Sequence, residues 1–312
     1  MADGPPAIRN LTRRQCGWGR AWRLLPAVAC LFLHVPLPAF GAASQLALRL
    51  VPAQVKQGGV TVLNIEGPVP IRALRVQVGD RELPAAPADS RTRVVLLIGV
   101  DLERPPGPVL VRVDAVEGRG RPLTGQRTLR VLDAHFPMQR LTVPRPFVDL
   151  DPATLERVGR EKEALDRLWE TIGPDRFWRG PFRLPLDGAG SASGFGERRI
   201  INGEPRAPHT GADFSAPAGA PVFAANAGVV VLAADHFFAG TSVILDHGLG
   251  LYTMYFHLLE SLVHPDQRVD RGQVIARVGS TGRATGPHLH WGARLYGARI
   301  DPRELLKPLP LE

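Results

Sequence analysis

A mainly all-β chain with one helix is the fold this sequence predicts, on three observations. From about Ser44 to Asp133, and again from Val222 onward, short β-rich runs are broken by Gly and Pro. Several of these runs alternate apolar and polar residues, the period-two mark of a strand with one buried face. Between the two stretches lies a single segment of helical periodicity. At 312 residues the chain has room for two folded units and a leader.

Residues 1–43 read as that leader. Arg9, Arg13, Arg14, Arg20 and Arg23 precede the apolar run 24–33, and small residues follow at Ala39-Phe-Gly-Ala-Ala43. Basic, then apolar, then small is the order of a secretory signal peptide. Cleavage after Gly41 and after Ala43 fit equally. An uncleaved anchor is the alternative, and the membrane would then be met only through the leader; Pro26, Pro36 and the short run speak against it. Arg13-Arg14 lacks the apolar residue expected of twin-arginine export. Apolar residues continue past Cys30, which argues against lipidation there.

Both cysteines, Cys16 and Cys30, fall within the leader. The mature chain is therefore expected to hold no disulfide and no thiolate ligand, as suits an oxidising compartment. The formal charge of +8 also shrinks, because the leader carries five arginines against Asp3 and its loss leaves about +4. The remaining charges are scattered. Nucleic-acid binding wants a clustered basic face, and none is visible.

The elements follow in order. Within 44–134, the runs 46–51, 59–65, 73–78, 93–98, 109–114 and 127–132 read as strands, enough for a small β-sandwich. No ligand or nucleophile pattern occurs there, so a spacer or docking module is expected. Residues 135–186 form a linker, rich in proline up to Val148 and then helical. Asp151 is placed to cap that helix, with Pro152 at its first position. Leu155, Val158, Leu165, Leu168, Trp169 and Ile172 fall near one face, for packing on a domain; a lid or a dimerisation element is the alternative. Asp187–Gly194 is a flexible entrance to the last unit, 187–312, whose runs 222–225, 228–233, 241–246, 251–255, 273–278 and 289–294 again read as strands.

The chemistry sits in this last unit. In His288-Leu-His290, alternate residues of a strand place two imidazoles on one face. His209-Thr-Gly-Ala-Asp213 adds an imidazole and a carboxylate, and Tyr255-Phe-His257 a fourth imidazole. Three of these side chains can close three corners of a zinc tetrahedron and leave the fourth to water. The other two remain to handle protons.

His209-x-Gly-x-Asp213, Tyr255-x-His257-Leu and Gly286-Pro-His-Leu-His290 occur in the order found in lysostaphin-like zinc endopeptidases, the LytM-type or M23 peptidases of bacterial cell walls. The resemblance runs from Ser193-Gly-Phe-Gly-Glu-Arg198 through Gly272-Gln-Val-Ile275 and Gly279-Ser-Thr-Gly282 to Ile300-Asp-Pro302. It implies an antiparallel LytM-like (duplicated-hybrid-motif) sheet with its metal in a loop-walled groove, and an N-terminal module that is Ig-like, as in Gram-negative members. It assigns one zinc per chain to His209, Asp213 and His290, and proton work to His257 and His288 without dividing that work between them. Arg198 and Asn202 are expected to meet substrate, and Phe237, Phe238 and Trp291 to line the groove or fill the core. His236, His247 and His264 are expected to be structural. Many relatives carry a tyrosine shortly before the first zinc histidine; here the stretch reads Ile200-Ile-Asn-Gly203.

The resemblance further implies a periplasmic or envelope enzyme that cuts peptide bonds of peptidoglycan, with an envelope protein as a second possible partner. A non-catalytic activator of cell-wall amidases is the alternative, against which the ligand set is complete. A zinc hydrolase acting on other substrates, such as Gly-rich bonds of secreted proteins, is a third reading.

Overall fold

The computed structural model describes residues 44–83, 91–143, 145–188 and 194–309. The expected leader, with both cysteines, and Ser193 lie outside the described residues. Ala43–Glu312 forms one compact unit.

The N-terminal strands join into one eight-stranded sheet. The runs expected separately at 59–65 and 73–78 belong to a single strand, Val60–Val78. Its first part pairs with Ala47–Val51 and Arg91–Gly99, its second with Gly107–Glu117 and Arg81–Leu83. The register shifts between Glu66 and Ile71. Pro68 and Pro70 lie in that interval and have no N–H to give a ladder, so pairing lapses there without ending the strand. The two layers expected of a sandwich are thus continuous through one strand. Leu63, Ile65, Ile71 and Val76 of this strand are fully buried against Val111, Val113 and Leu129.

The C-terminal strands form a nine-stranded sheet. Its main path runs Gly211–Ser215, His288–Leu295, Leu251–Ser261, Gly240–Asp246, Gly228–His236 and Arg268–Val269. Neighbours on this path are antiparallel. Its core, with Val243, Leu245, Tyr255, Leu289 and Trp291, is continuous with the N-terminal core. A two-pronged ion pair fastens the junction: Arg299 reaches Asp101 at 2.7 and 3.0 Å and Glu103 at 2.7 Å. Backbone bonds from Leu102 N to Arg299 O and from Asp301 N to Gly58 O flank it.

The helix spans Pro152–Glu170, and the Asp151 carboxylate accepts from Thr154 N at 3.0 Å. It packs on the C-terminal sheet through Trp169, which meets Tyr252 edge-on at 5.4 Å. Leu155, expected on the buried face, is exposed. The linker before the helix adds an element that sequence patterning did not reveal. Met138–Leu141 pairs in parallel with Arg198–Ile201, which pairs with Glu204–Arg206 in a small third sheet. No helix among the described residues is long and apolar enough to cross a membrane.

Candidate metal centre

The register of two strands brings the first residues together. Gly211–Ser215 lies antiparallel to His288–Leu295 with Asp213 directly opposite His290 and Ser215 opposite His288. Cross-strand partners share a face, so a carboxylate and an imidazole meet there. His209, on the loop entering the first strand, completes the group.

The three donor atoms form a tight triangle. His209 Nε2 and His290 Nδ1 are 2.8 Å apart, and Asp213 Oδ1 lies 2.9 Å from the latter and 3.1 Å from the former. Zinc takes nitrogen and oxygen donors at about 2.0–2.2 Å. One ion can therefore reach all three atoms at once. His209 and His290 are buried and Asp213 partly so, and these three residues are the metal-capable cluster among the described residues. Burial opposes ionisation of Asp213, but hydrogen bonds from His209 and His290 outweigh it and hold the carboxyl well below the usual carboxylate range. Burial pulls the His290 imidazole down to about 4, against the raising effect of Asp213. Both directions leave the ring lone pairs and the carboxylate free to serve as ligands. His209 turns Nε2 toward the other two donors, while its Nδ1 is buried without a hydrogen-bond partner.

Two glycines make room for these rings. A Cβ at Gly211 would stand 2.5 Å from His290 Nε2. One at Gly194, where φ is +100°, would stand 2.4 Å from His209 Nδ1. Neither position has space for a side chain.

The other two histidines flank the triangle. His257 Nδ1 donates to Thr281 O at 2.9 Å, and His288 Nδ1 donates to Gly286 O at 2.8 Å. With Nδ1 protonated, each ring has Nε2 open as an acceptor. The two rings lie 4.8 Å apart, and His257 meets His290 edge-on at 6.0 Å. Burial, with His290 the next cause, lowers the His257 imidazole to about 4 and keeps it neutral. His257 adopts φ +60° where the pairing of Leu251–Ser261 with Gly240–Asp246 slips register. That bulge breaks strict alternation, so His257 and its neighbour Phe256, stacked on His290 at 5.4 Å, both attend the site.

A cavity of about 360 Å³ opens over the group. Its walls include Phe238, Arg199, Arg283 and, from the linker strand, Gln139 and Leu141. The linker residues and both arginines were missed by sequence reasoning; the parallel pairing of Met138–Leu141 and the Asn202 bonds to Val143 bring the linker here.

Other residues singled out in the sequence make contacts outside the donor group. Trp291 is fully buried on the opposite face of its strand, 6.2 Å from Phe214, because it follows His290 by one residue. Arg198 pairs with Glu103 of the N-terminal part at 3.5 Å and covers Phe136. Asn202 occupies the hairpin turn at φ +51° and brackets the Val143 backbone with bonds of 3.1 and 3.0 Å. Phe237 packs against Phe147. His247 is fully buried, between Ala227 O and Thr253 Oγ1, each at 2.7 Å. The three tyrosines of the chain, Tyr252, Tyr255 and Tyr296, are all buried, so none stands in for the tyrosine missing before His209.

Comparison with known proteins agrees with this geometry. The family model described as Peptidase family M23 matches residues 207–302, a span that holds all five site residues. Peptidoglycan DD-endopeptidase ShyA of Vibrio cholerae is 39% identical over 47% of this chain and 32% of that protein. DD-carboxypeptidase/endopeptidase Mpg of Neisseria meningitidis is 41% identical over 33% of this chain and 24% of that protein. The chain thus matches about a third or less of the length of these curated relatives. A crystal structure assigned to peptidase M23 from Pseudomonas aeruginosa superimposes with a TM-score of 0.59 at 30% identity, covering 80% of this chain and 94% of that one. A mostly β fold with a His-Asp-His group able to hold a metal is therefore the class. The chain belongs to peptidase family M23.

Proposed function

We propose that this chain is a zinc endopeptidase of the cell envelope that cuts peptide bonds of peptidoglycan. The observation that carries the reading is the convergence of three metal-capable donors with two imidazoles whose Nε2 atoms are open. His209, Asp213 and His290 would hold one zinc. Bound there, zinc would polarise a peptide carbonyl and make water a stronger acid. His257 and His288 do the proton work on either side. Each is held by its Nδ1–H, so Nε2 can accept a proton from water and return it to the departing amine. A neutral His257 is competent to begin as the base. Phe256, stacked on His290, keeps that ring in plane. The relatives' names support the substrate class, and the leader expected at 1–43 supports a periplasmic or envelope location. The module 44–134 acts in this reading as an Ig-like docking element joined to the C-terminal part through Arg299 and Asp301.

Digestion of purified sacculi tests the proposal. The zinc-loaded chain is expected to release muropeptides whose masses match cut crosslinks or stems, and chelation should abolish the release. Intact crosslinks after digestion with a zinc-loaded, folded chain would remove the endopeptidase reading.

A further inference from the structure

The cavity over the metal group carries more positive charge than its own carboxylate can satisfy. Arg199 lies with its Nε buried and without an acceptor, and its nearest carboxylate oxygen is Asp213 Oδ2 at 3.7 Å. Asp213 is already engaged by two imidazoles at 2.9 and 3.1 Å. Arg283 lies over the Phe238 ring at 4.4 Å, and no ion pair to it occurs among the described residues. Burial first, then the charges of Arg199 and Arg206, disfavour its charged state. On the same wall, Gln139 Oε1 is buried without a donor.

Such an arrangement is costly on its own. A guanidinium moved out of water needs an anion or several acceptors to offset its lost hydration, and two held near one another repel. Their shape suits one kind of ligand. The planar fork of arginine matches a carboxylate in a two-bond contact, and these bonds are stronger than those between neutral groups. A neutral glycine-rich segment would leave both guanidiniums uncompensated.

We propose that Arg199 and Arg283 form a carboxylate-recognition subsite beside the metal group, selecting peptides that carry a free carboxylate close to the scissile amide. The inference rests on the endopeptidase reading and narrows its substrate class. Gln139 then takes an N–H of the same bound peptide. Neither arginine is asked to act on the reacting bond, so the selectivity should appear in KM and in binding rather than in kcat.

The experiment compares crosslinked stem peptides whose carboxylates are free with the same peptides amidated, using the full zinc-loaded chain. Hydrolysis and calorimetric binding are both measured; binding uses zinc-loaded His257→Ala so that the peptide stays intact. The free form is expected to be favoured about ten- to hundredfold in kcat/KM, chiefly through KM, with a similar ratio in Kd. Arg283→Gln should bring both ratios close to one by weakening the free form alone, and Arg283→Lys should restore part of the preference. Arg199→Gln should behave alike with its zinc content unchanged. Equal treatment of both peptides by the unsubstituted chain, or equal loss on both in Arg283→Gln, would overturn the subsite. If neither peptide is cut, the endopeptidase reading fails; the binding ratio still decides the subsite, and absence of a ratio or of binding rejects it.

Discussion

Asp213 and His290 face each other as directly paired residues of two antiparallel strands, with Asp213 Oδ1 2.9 Å from His290 Nδ1. The ladder hydrogen bonds fix that spacing, so the two donors are presented together with little loss of side-chain freedom on binding an ion. His209 is held by its own backbone, through bonds from His209 N to Glu197 O and from Gly196 N to His209 O. The metal group is preorganised by main-chain structure.

Ligands and proton handlers should therefore separate experimentally. His209→Ala, Asp213→Ala and His290→Ala each remove one of three converging donors, so zinc content should collapse together with activity. His257→Ala and His288→Ala should keep most of the zinc while turnover falls about a hundredfold to ten-thousandfold. Metal analysis beside hydrolysis rates checks all five. Full zinc occupancy in His290→Ala, or normal turnover in His257→Ala, would reverse that residue's role.

Gly211→Ala offers a subtler disturbance of the same centre. The added methyl would sit 2.5 Å from His290 Nε2 and 2.7 Å from Trp291 O, so the ring and the strand backbone must give and the donor triangle is disturbed. Zinc affinity should drop while circular dichroism stays close to that of the parent. Unchanged affinity would mean that the strand pair accommodates the methyl without moving His290.

His247 gives the stability a pH dependence. Burial lowers its imidazole from 6.5 to about 4, so the folded chain keeps it neutral where the unfolded chain would protonate it. Its contribution is complete above pH 6.5 and is lost as pH falls toward 4, by about 3 kcal/mol in all. Urea unfolding at several pH values, compared with His247→Gln, measures it. The parent should lose more stability over that window than the variant; parallel losses would contradict the assignment.

The junction between the two sheets depends on Arg299. Its guanidinium bonds both oxygens of Asp101, and both side chains are mostly shielded from solvent. Burial opposes ionisation of Asp101, but the bonds from Arg299 win and lower its carboxyl. Arg299→Leu leaves that carboxylate unpaired and should cost about 1–3 kcal/mol, seen as a lower Tm. Asp101→Asn in the same background should recover part of the loss. Additive losses in the double variant would show that the pair is not coupled.

Much was legible in the chain itself. Period-two runs marked the strands, Asp151-Pro152 marked the helix start, and His288-Leu-His290 placed two imidazoles on one face, all because these patterns depend only on local geometry. Four things required the tertiary structure. The linker strand Met138–Leu141 shows no distinctive pattern and became part of the cavity wall only by pairing with Arg198–Ile201. Arg198, Asn202 and Trp291 looked like site residues by their nearness in sequence, yet an ion pair, a turn and strand alternation direct them elsewhere. His257 reaches the site through a bulge at φ +60°, and Arg199 and Arg283 lie 84 positions apart in sequence yet share one cavity. Local sequence determines which face of a strand a side chain takes, whereas register, bulges and the meeting of distant segments are set by long-range pairing, which one stretch of chain cannot encode alone.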